Sequence, residues 1–185
     1  MTYKIIGFTG LKGSGKDTAA QMTGGQMFAF ASELKATARK WYGLSWEQVY
    51  GDQKEVIDPK WGITPREIMQ RLGTEVARSI HPETWTRYLL DDRIPAVMAI
   101  VFGPPKLAVI TDVRFPNEVS AIHERGGHVI RINRLAAGMN QYSSHESESH
   151  IQGLMVDYDI DNNGTLDELR YDVIRALNDL GVYRG

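Results

Sequence analysis

An open α/β sheet, layered between helices, is the fold class the sequence predicts. Three observations predict it: short β-rich apolar runs alternate with helically spaced segments, a glycine-rich loop joins the first run to the first helix, and the apolar run Leu107–Thr111 stops at Asp112. With 185 residues, 42% of them hydrophobic and 24% charged, the chain can bury a full core and lies within the range of one domain.

The elements follow in order. Ile5, Ile6 and Phe8 form a β-rich run that ends in glycines, and Asp17 to Met22 opens a helix. Met27 to Ala31 reads as a second strand. Glu33 to Tyr42 carries Leu34, Ala38, Trp41 and Tyr42 at helical spacing, with Gly43 to end it. In Thr64-Pro65-Arg66-Glu67 a capping threonine, a first-turn proline and a glutamate three residues on form a capping box, so a helix is expected from there to about Ile80.

Glu83 to Asp92 is expected to be helical, and Pro95, Gly103, Pro104 and Pro105 mark a loop region around an unassigned apolar stretch, Ala96 to Phe102. Leu107 to Thr111 has the continuous apolar character of a parallel strand covered on both faces, and Pro116 to Arg125 is its helix. His128 to Asn133 and Val156 to Asp161 complete five strands, and Thr165 to Leu180 closes the chain as a helix. In such a sheet the ligand site lies beyond the carboxyl ends of the strands, where Gly10, Asp112, Arg134 and Asn162 fall.

Composition narrows the function. Lys and Arg total 21 against 23 Asp and Glu, a net charge of −2, so no global positive field draws the chain onto a nucleic acid polymer or anionic lipid. The absence of cysteine excludes disulfides, thiolate zinc sites and a cysteine nucleophile, and fits the cytoplasm. The N-terminal apolar run is too short for a signal peptide, and no run approaches the roughly 20 apolar residues that span a bilayer.

The chemistry sits first in Gly10-Leu11-Lys12-Gly13-Ser14-Gly15-Lys16, a G-x-x-x-x-G-K loop between a strand and a helix. Glycines let the backbone amides of Lys12, Gly13, Ser14, Gly15, Lys16, Asp17 and Thr18 converge on phosphate oxygens, and the helix start adds partial positive charge. Lys16 is placed to reach the β- and γ-phosphates of ATP. The hydroxyl residue that normally follows the lysine is replaced by Asp17, with Thr18 next. Asp17 has two readings: organising the Mg²⁺ shell through water, or complementing the helix dipole.

This loop with its Lys-Asp-Thr ending, followed by Arg66-x-x-x-Gln70-x-x-Gly73-Thr74 and by Asp112-Val113-Arg114-Phe115-Pro116-Asn117-Glu118, resembles the bacteriophage deoxynucleoside monophosphate kinases over nearly the whole chain. The resemblance implies a three-layer P-loop fold like that of adenylate kinase and the reaction ATP + dNMP → ADP + dNDP with Mg²⁺. It also implies a phage protein working in the host cytoplasm. It assigns Arg66, Gln70, Gly73, Thr74 and Trp85 to the monophosphate site, and Asp112, Arg114 and Glu118 to the neighbourhood of the phosphates.

Arg66 and Gln70 are four apart on the expected helix and Gly73 and Thr74 come one turn later, so all can share one face, and the residue types suit those roles. A guanidinium such as Arg66 binds a phosphate bidentately, the Gln70 carboxamide offers a donor and an acceptor to a base edge, and glycine lets a ring approach the backbone. The rival reading is a solvent-facing stripe, with Met69, Leu72 and Val76 on the buried side. Asp112, at a strand end beside the loop, is where a carboxylate holds magnesium or its waters. Arg114 either neutralises charge on the transferred group or pairs with Glu118 or Asp112. Arg131 and Arg134 either close over the phosphates or are plain surface charges.

Two look-alike motifs are set aside. His145, Glu148 and His150 lie among serines in a polar loop, and Asp159 to Gly164 imitates a calcium loop but has Arg170 at its twelfth position. The expected organisation is one domain over 1–185, with a monophosphate-binding helical insertion at about 32–95 and a short lid at about 134–153, as monomer or homodimer. Two rival activities share the loop. One is another small-molecule P-loop kinase, acting on dephospho-coenzyme A or shikimate. The other is a nucleotide-dependent switch or ATPase, although the guanine signature Asn-Lys-x-Asp is missing.

Overall fold

In the computed structural model, which describes residues 3–103, 106–135 and 151–183, the apolar runs become the five strands of one sheet. These are β1 (Lys4–Thr9), β2 (Gln26–Phe28), β3 (Leu107–Ile110), β4 (His128–Asn133) and β5 (Tyr158–Asp161). Their spatial order is β2-β3-β1-β4-β5, and every neighbouring pair is parallel. The second and last strands are shorter than expected, because Ala31 already begins a helix and Val156 precedes the β5 ladder.

The helices are α1 (Lys16–Met22), α2 (Ala31–Tyr42), α3 (Trp46–Val49), α4 (Pro65–Gln70), α5 (Thr84–Arg87), α6 (Ile94–Met98), α7 (Pro116–Glu124) and α8 (Leu166–Asp179). Arg71–Arg78 and Tyr88–Arg93 are wound as π-helix. Pro95, expected in a loop, lies in the first turn of α6, where a missing N–H costs little.

Alternating side chains explain the layers. Ile6 and Phe8 of β1 join Leu107, Val109, Ile130 and Ile132 in a cluster with Ala19 and Ala20 of α1 and Leu169, Val173 and Leu177 of α8. Gly7 faces the other way, where an added Cβ would strike Val113, Val129 and Ile122 of α7. The central strands are therefore covered on both faces, as parallel strands must be.

The chain divides into two compact units, one comprising Met1–Ala29 with Leu89–Gly185 and the other Phe30–Tyr88. The second has its own apolar cluster of Ala38, Leu44, Val49, Ile68 and Leu72, flanked by Leu34, Tyr42 and Met69. Trp41, at helical spacing with that set, is instead 64% exposed. Thr64 caps α4 by accepting from the Glu67 amide at 3.1 Å, but the reciprocal half of the expected box is replaced by a Glu67–Arg71 ion pair at 2.5 Å.

At the base of the sheet, the Asp157 carboxylate accepts from the Val129 amide and pairs with His123, both at 2.7 Å, with His128 at 3.6 Å. Burial pushes its pKa up, but those hydrogen bonds and the imidazole charges outweigh it, so the group lies below its ordinary value of 3.8. A depressed carboxylate contributes stability above the unfolded-chain value and loses it as pH falls through the lower native one. The stability advantage of the wild-type protein over Asp157→Asn is thus expected to be present above 3.8 and to be lost in acid below it, as urea unfolding across pH would read.

Candidate active site

The site begins where β1 stops. Ser14 donates its amide to the Leu11 carbonyl at 3.0 Å, and Ala19 closes the first helical bond of α1 onto Gly15 at 2.9 Å. Gly13 and Gly15 take φ of 83° and 91°, the left-handed region that a side chain resists. The amides at the start of α1 have no helical acceptor and face whatever the loop encloses. Among the described residues, two buried hydroxyls, Thr9 Oγ1 and Ser14 Oγ, lack a partner here.

Lys16 opens α1 with its side chain only 15% exposed, its ammonium 3.9 Å from the Asp17 carboxylate, which is 72% exposed. Thr18 is also exposed. Lys12 and Arg134 are both exposed, and Arg134 lines a cleft of about 300 Å³ with Gly10, Leu11, Ser14 and Asn163.

The segment after β3 is pinned beside the loop. Val113 donates its amide to the Phe8 carbonyl at 3.1 Å, and Thr111 donates to Phe28 at 3.0 Å, so Asp112 is held between the ends of β1 and β2. The order β2-β3-β1-β4-β5 makes this the switch point. The connection from β1 runs outward to β2 and that from β3 crosses to β4, which opens a crevice at their carboxyl ends.

Glu118 is 3% exposed, and its carboxylate accepts from the amides of Arg114 at 2.7 Å and Phe115 at 3.1 Å. It therefore shapes the turn that presents Arg114. Glu118→Ala would leave two amides without that acceptor, and a loss of about 2 kcal/mol is expected by urea unfolding. Glu118→Gln, which keeps one acceptor oxygen, is expected to lose less.

Arg131 is a correction to the closing role weighed for it. Its guanidinium donates to Asp159 at 2.7 Å and to the Gln152 carbonyl at 2.7 Å, so it ties β4 to β5. Asp159, first in the calcium-like motif, is that arginine's partner, and its pKa is lowered chiefly by the Arg131 hydrogen bond. His145, Glu148, His150 and most of the expected lid lie outside the described residues.

Arg66, Gln70, Gly73, Thr74 and Trp85 all belong to the second unit. Arg66 pairs with Glu55, while Gln70 and Thr74 are exposed. Gly73 does not share their face: it is buried, a Cβ there would strike Leu34, and its carbonyl accepts from the Trp85 indole at 3.0 Å. Val76, placed on the buried side by an α-helical period, is 48% exposed. Both departures follow from the π winding of Arg71–Arg78, whose longer turns rotate side chains away from the α-helical register.

One contact had no sequence signal. Asn162, beyond β5, donates its carboxamide to the Ser14 carbonyl at 2.8 Å across a buried gap. Position after a strand end marked the residue, but nothing in the sequence marked its partner.

A family model described as deoxynucleotide monophosphate kinase matches residues 44–173. A protein of Acanthamoeba polyphaga mimivirus, named by inference as a deoxynucleotide monophosphate kinase, is 34% identical over 94% of this chain and 96% of its own. The deoxynucleoside-5′-monophosphate kinase of Escherichia phage T5 is 29% identical over 64% of this chain and 47% of its own. Among solved structures, TT1252 from Thermus thermophilus covers 96% of this chain and 98% of its own with a TM-score of 0.54 at 19% identity, a likeness of fold.

Proposed function

The chain belongs to the deoxynucleotide monophosphate kinase family, and from that premise we propose how its residues move the γ-phosphoryl group of ATP to a deoxynucleoside monophosphate. The observation that carries this reading is the glycine loop with Lys16 at the switch point, flanked by the pinned Asp112–Arg114 segment. An acceptor phosphate is already an anionic nucleophile, so no general base is needed. The difficulty is to bring two polyanions together in a crevice of low dielectric.

The loop amides of Lys12, Gly13, Gly15, Lys16, Asp17 and Thr18 and the Lys16 ammonium hold the donor phosphates, the Ser14 amide being taken by the Leu11 carbonyl, and Arg134 covers that side. Arg114 neutralises charge on the transferred group. Arg66 takes the acceptor phosphate and gives up Glu55 to do so, and Gln70 and Thr74 read the base or sugar. Glu118 and Trp85 support these groups, the first through the Arg114 turn and the second through the Gly73 carbonyl. The bond from γ-phosphorus to the ADP oxygen breaks as one to the acceptor oxygen forms.

The oxygen donors suit magnesium. No group of three or more carboxylates or histidines among the described residues would hold a metal alone, which fits an ion that binds with substrate phosphates and keeps its waters. Asp112, with Asp17 and Thr18, would hold it, and when bound it supplies charge neutralisation between donor phosphates. Among the described residues no helix is long and apolar enough to cross a membrane.

The test is ADP release with each of the four deoxynucleoside monophosphates beside dephospho-coenzyme A and shikimate. Acceleration by a deoxynucleotide alone is the expected result. Slow hydrolysis that no acceptor stimulates would favour a nucleotide switch instead.

A further inference from the structure

The end of β5 and the phosphate loop are remote in sequence yet joined in the core of the first unit. The Asn162 side chain is buried, 9% exposed, and its Nδ2 donates to the Ser14 carbonyl at 2.8 Å. Its own amide donates to the Asn133 carbonyl at 2.7 Å, so the residue is anchored to β4 as well as β5. The next residue, Asn163, accepts from the Leu135 amide at 2.9 Å, directly after Arg134. A short turn thus grips both the loop and the strand end that line the 300 Å³ cleft.

Gly15 completes the fit. Beyond its positive φ, a Cβ at Gly15 would overlap the Asn162 carboxamide. The glycine leaves space that the carboxamide fills, and the carboxamide fixes the peptide between Ser14 and Gly15, whose N–H belongs to the cradle. A buried carbonyl with a fixed donor on one side cannot rotate without losing that bond, so the opposite N–H stays aimed inward.

We propose that Asn162 is a positioning residue for the donor nucleotide: its carboxamide locks the Ser14–Gly15 peptide so that the loop amides converge on the ATP phosphates before ATP arrives. This rests on the kinase reading above. It adds a residue from the far end of the chain that touches the loop and not the substrate. Preorganisation of this kind acts through affinity for the donor and leaves affinity for the acceptor untouched.

The test compares the full-length wild-type protein with Asn162→Ala and Asn162→Asp. Asp has the same shape but no donor, so a role limited to filling space would be kept by Asp and lost by Ala. Both variants are expected to raise the Kd and KM for ATP about tenfold, the effect of one buried hydrogen bond, with the KM for the deoxynucleotide unchanged. The rise in melting temperature on adding ATP is read beside the melting temperature itself. A variant that is merely less stable melts lower in both states and shows the wild-type increment, which overturns the proposal, as does Asp behaving like wild type. If the wild-type protein itself binds no ATP, the kinase reading fails, an outcome distinct from tight binding by all three proteins, which removes only the role of Asn162.

Discussion

Lys16→Ala is expected to lower kcat by about a thousandfold while weakening ATP binding far less. The Lys16 ammonium sits at the first turn of α1, largely covered, where the described residues offer it only the exposed Asp17 carboxylate as an ion-pair partner at 3.9 Å. Backbone amides can hold the ground-state phosphates without it. A mobile cation is needed when charge moves onto the leaving oxygen, and that is a property of the transition state. Lys16→Arg keeps the charge but presents a rigid planar fork, so partial recovery is the expected result. Steady-state rates measured beside equilibrium ATP binding make the check. Equal losses in the two would mean that Lys16 only binds.

Arg114→Ala is expected to lower kcat by about a hundredfold or more, the usual effect of removing one donor aimed at developing charge. Its backbone is held by Glu118, and the adjoining Val113 amide is bonded to Phe8, so the residue sits on a turn tied to the end of β1. Loss of the head group should leave that turn intact. Urea unfolding close to wild type, combined with the fall in turnover, separates chemistry from structure. A large loss of stability with unchanged turnover of the folded fraction would assign Arg114 to the ion pairs of the turn.

These expectations depend on features that were unequally legible in the sequence. The glycine loop could be read because its geometry is local: the φ values that need glycine and the helix that follows lie within a few residues. β3 and β4 could be read because apolar runs bounded by glycine or Asp112 match strands buried on both faces. Glu118 was assigned to the neighbourhood of the phosphates by resemblance alone, and its role as an acceptor for two amides appears only once the turn is folded.

The second unit was less legible. A switch from α to π winding after Gln70 changes which residues share a face, and spacing alone does not announce it. Gly73 and Val76 were therefore placed on the wrong sides of the helix. Pro95 was read as loop punctuation because proline has the same signature before a helix as within a turn. Asn162 is a tertiary contact between ends of the chain, and no local pattern encodes one.

The strand order β2-β3-β1-β4-β5 also bears on how the protein is made. β3 lies between β1 and β2 in space but follows the whole Phe30–Tyr88 unit in the chain. During translation the first two strands leave the ribosome without the neighbour that joins them, and their unpaired edges wait until Leu107–Ile110 emerges. By then the apolar residues of the intervening unit have all been synthesised, so its core can collapse before the sheet closes.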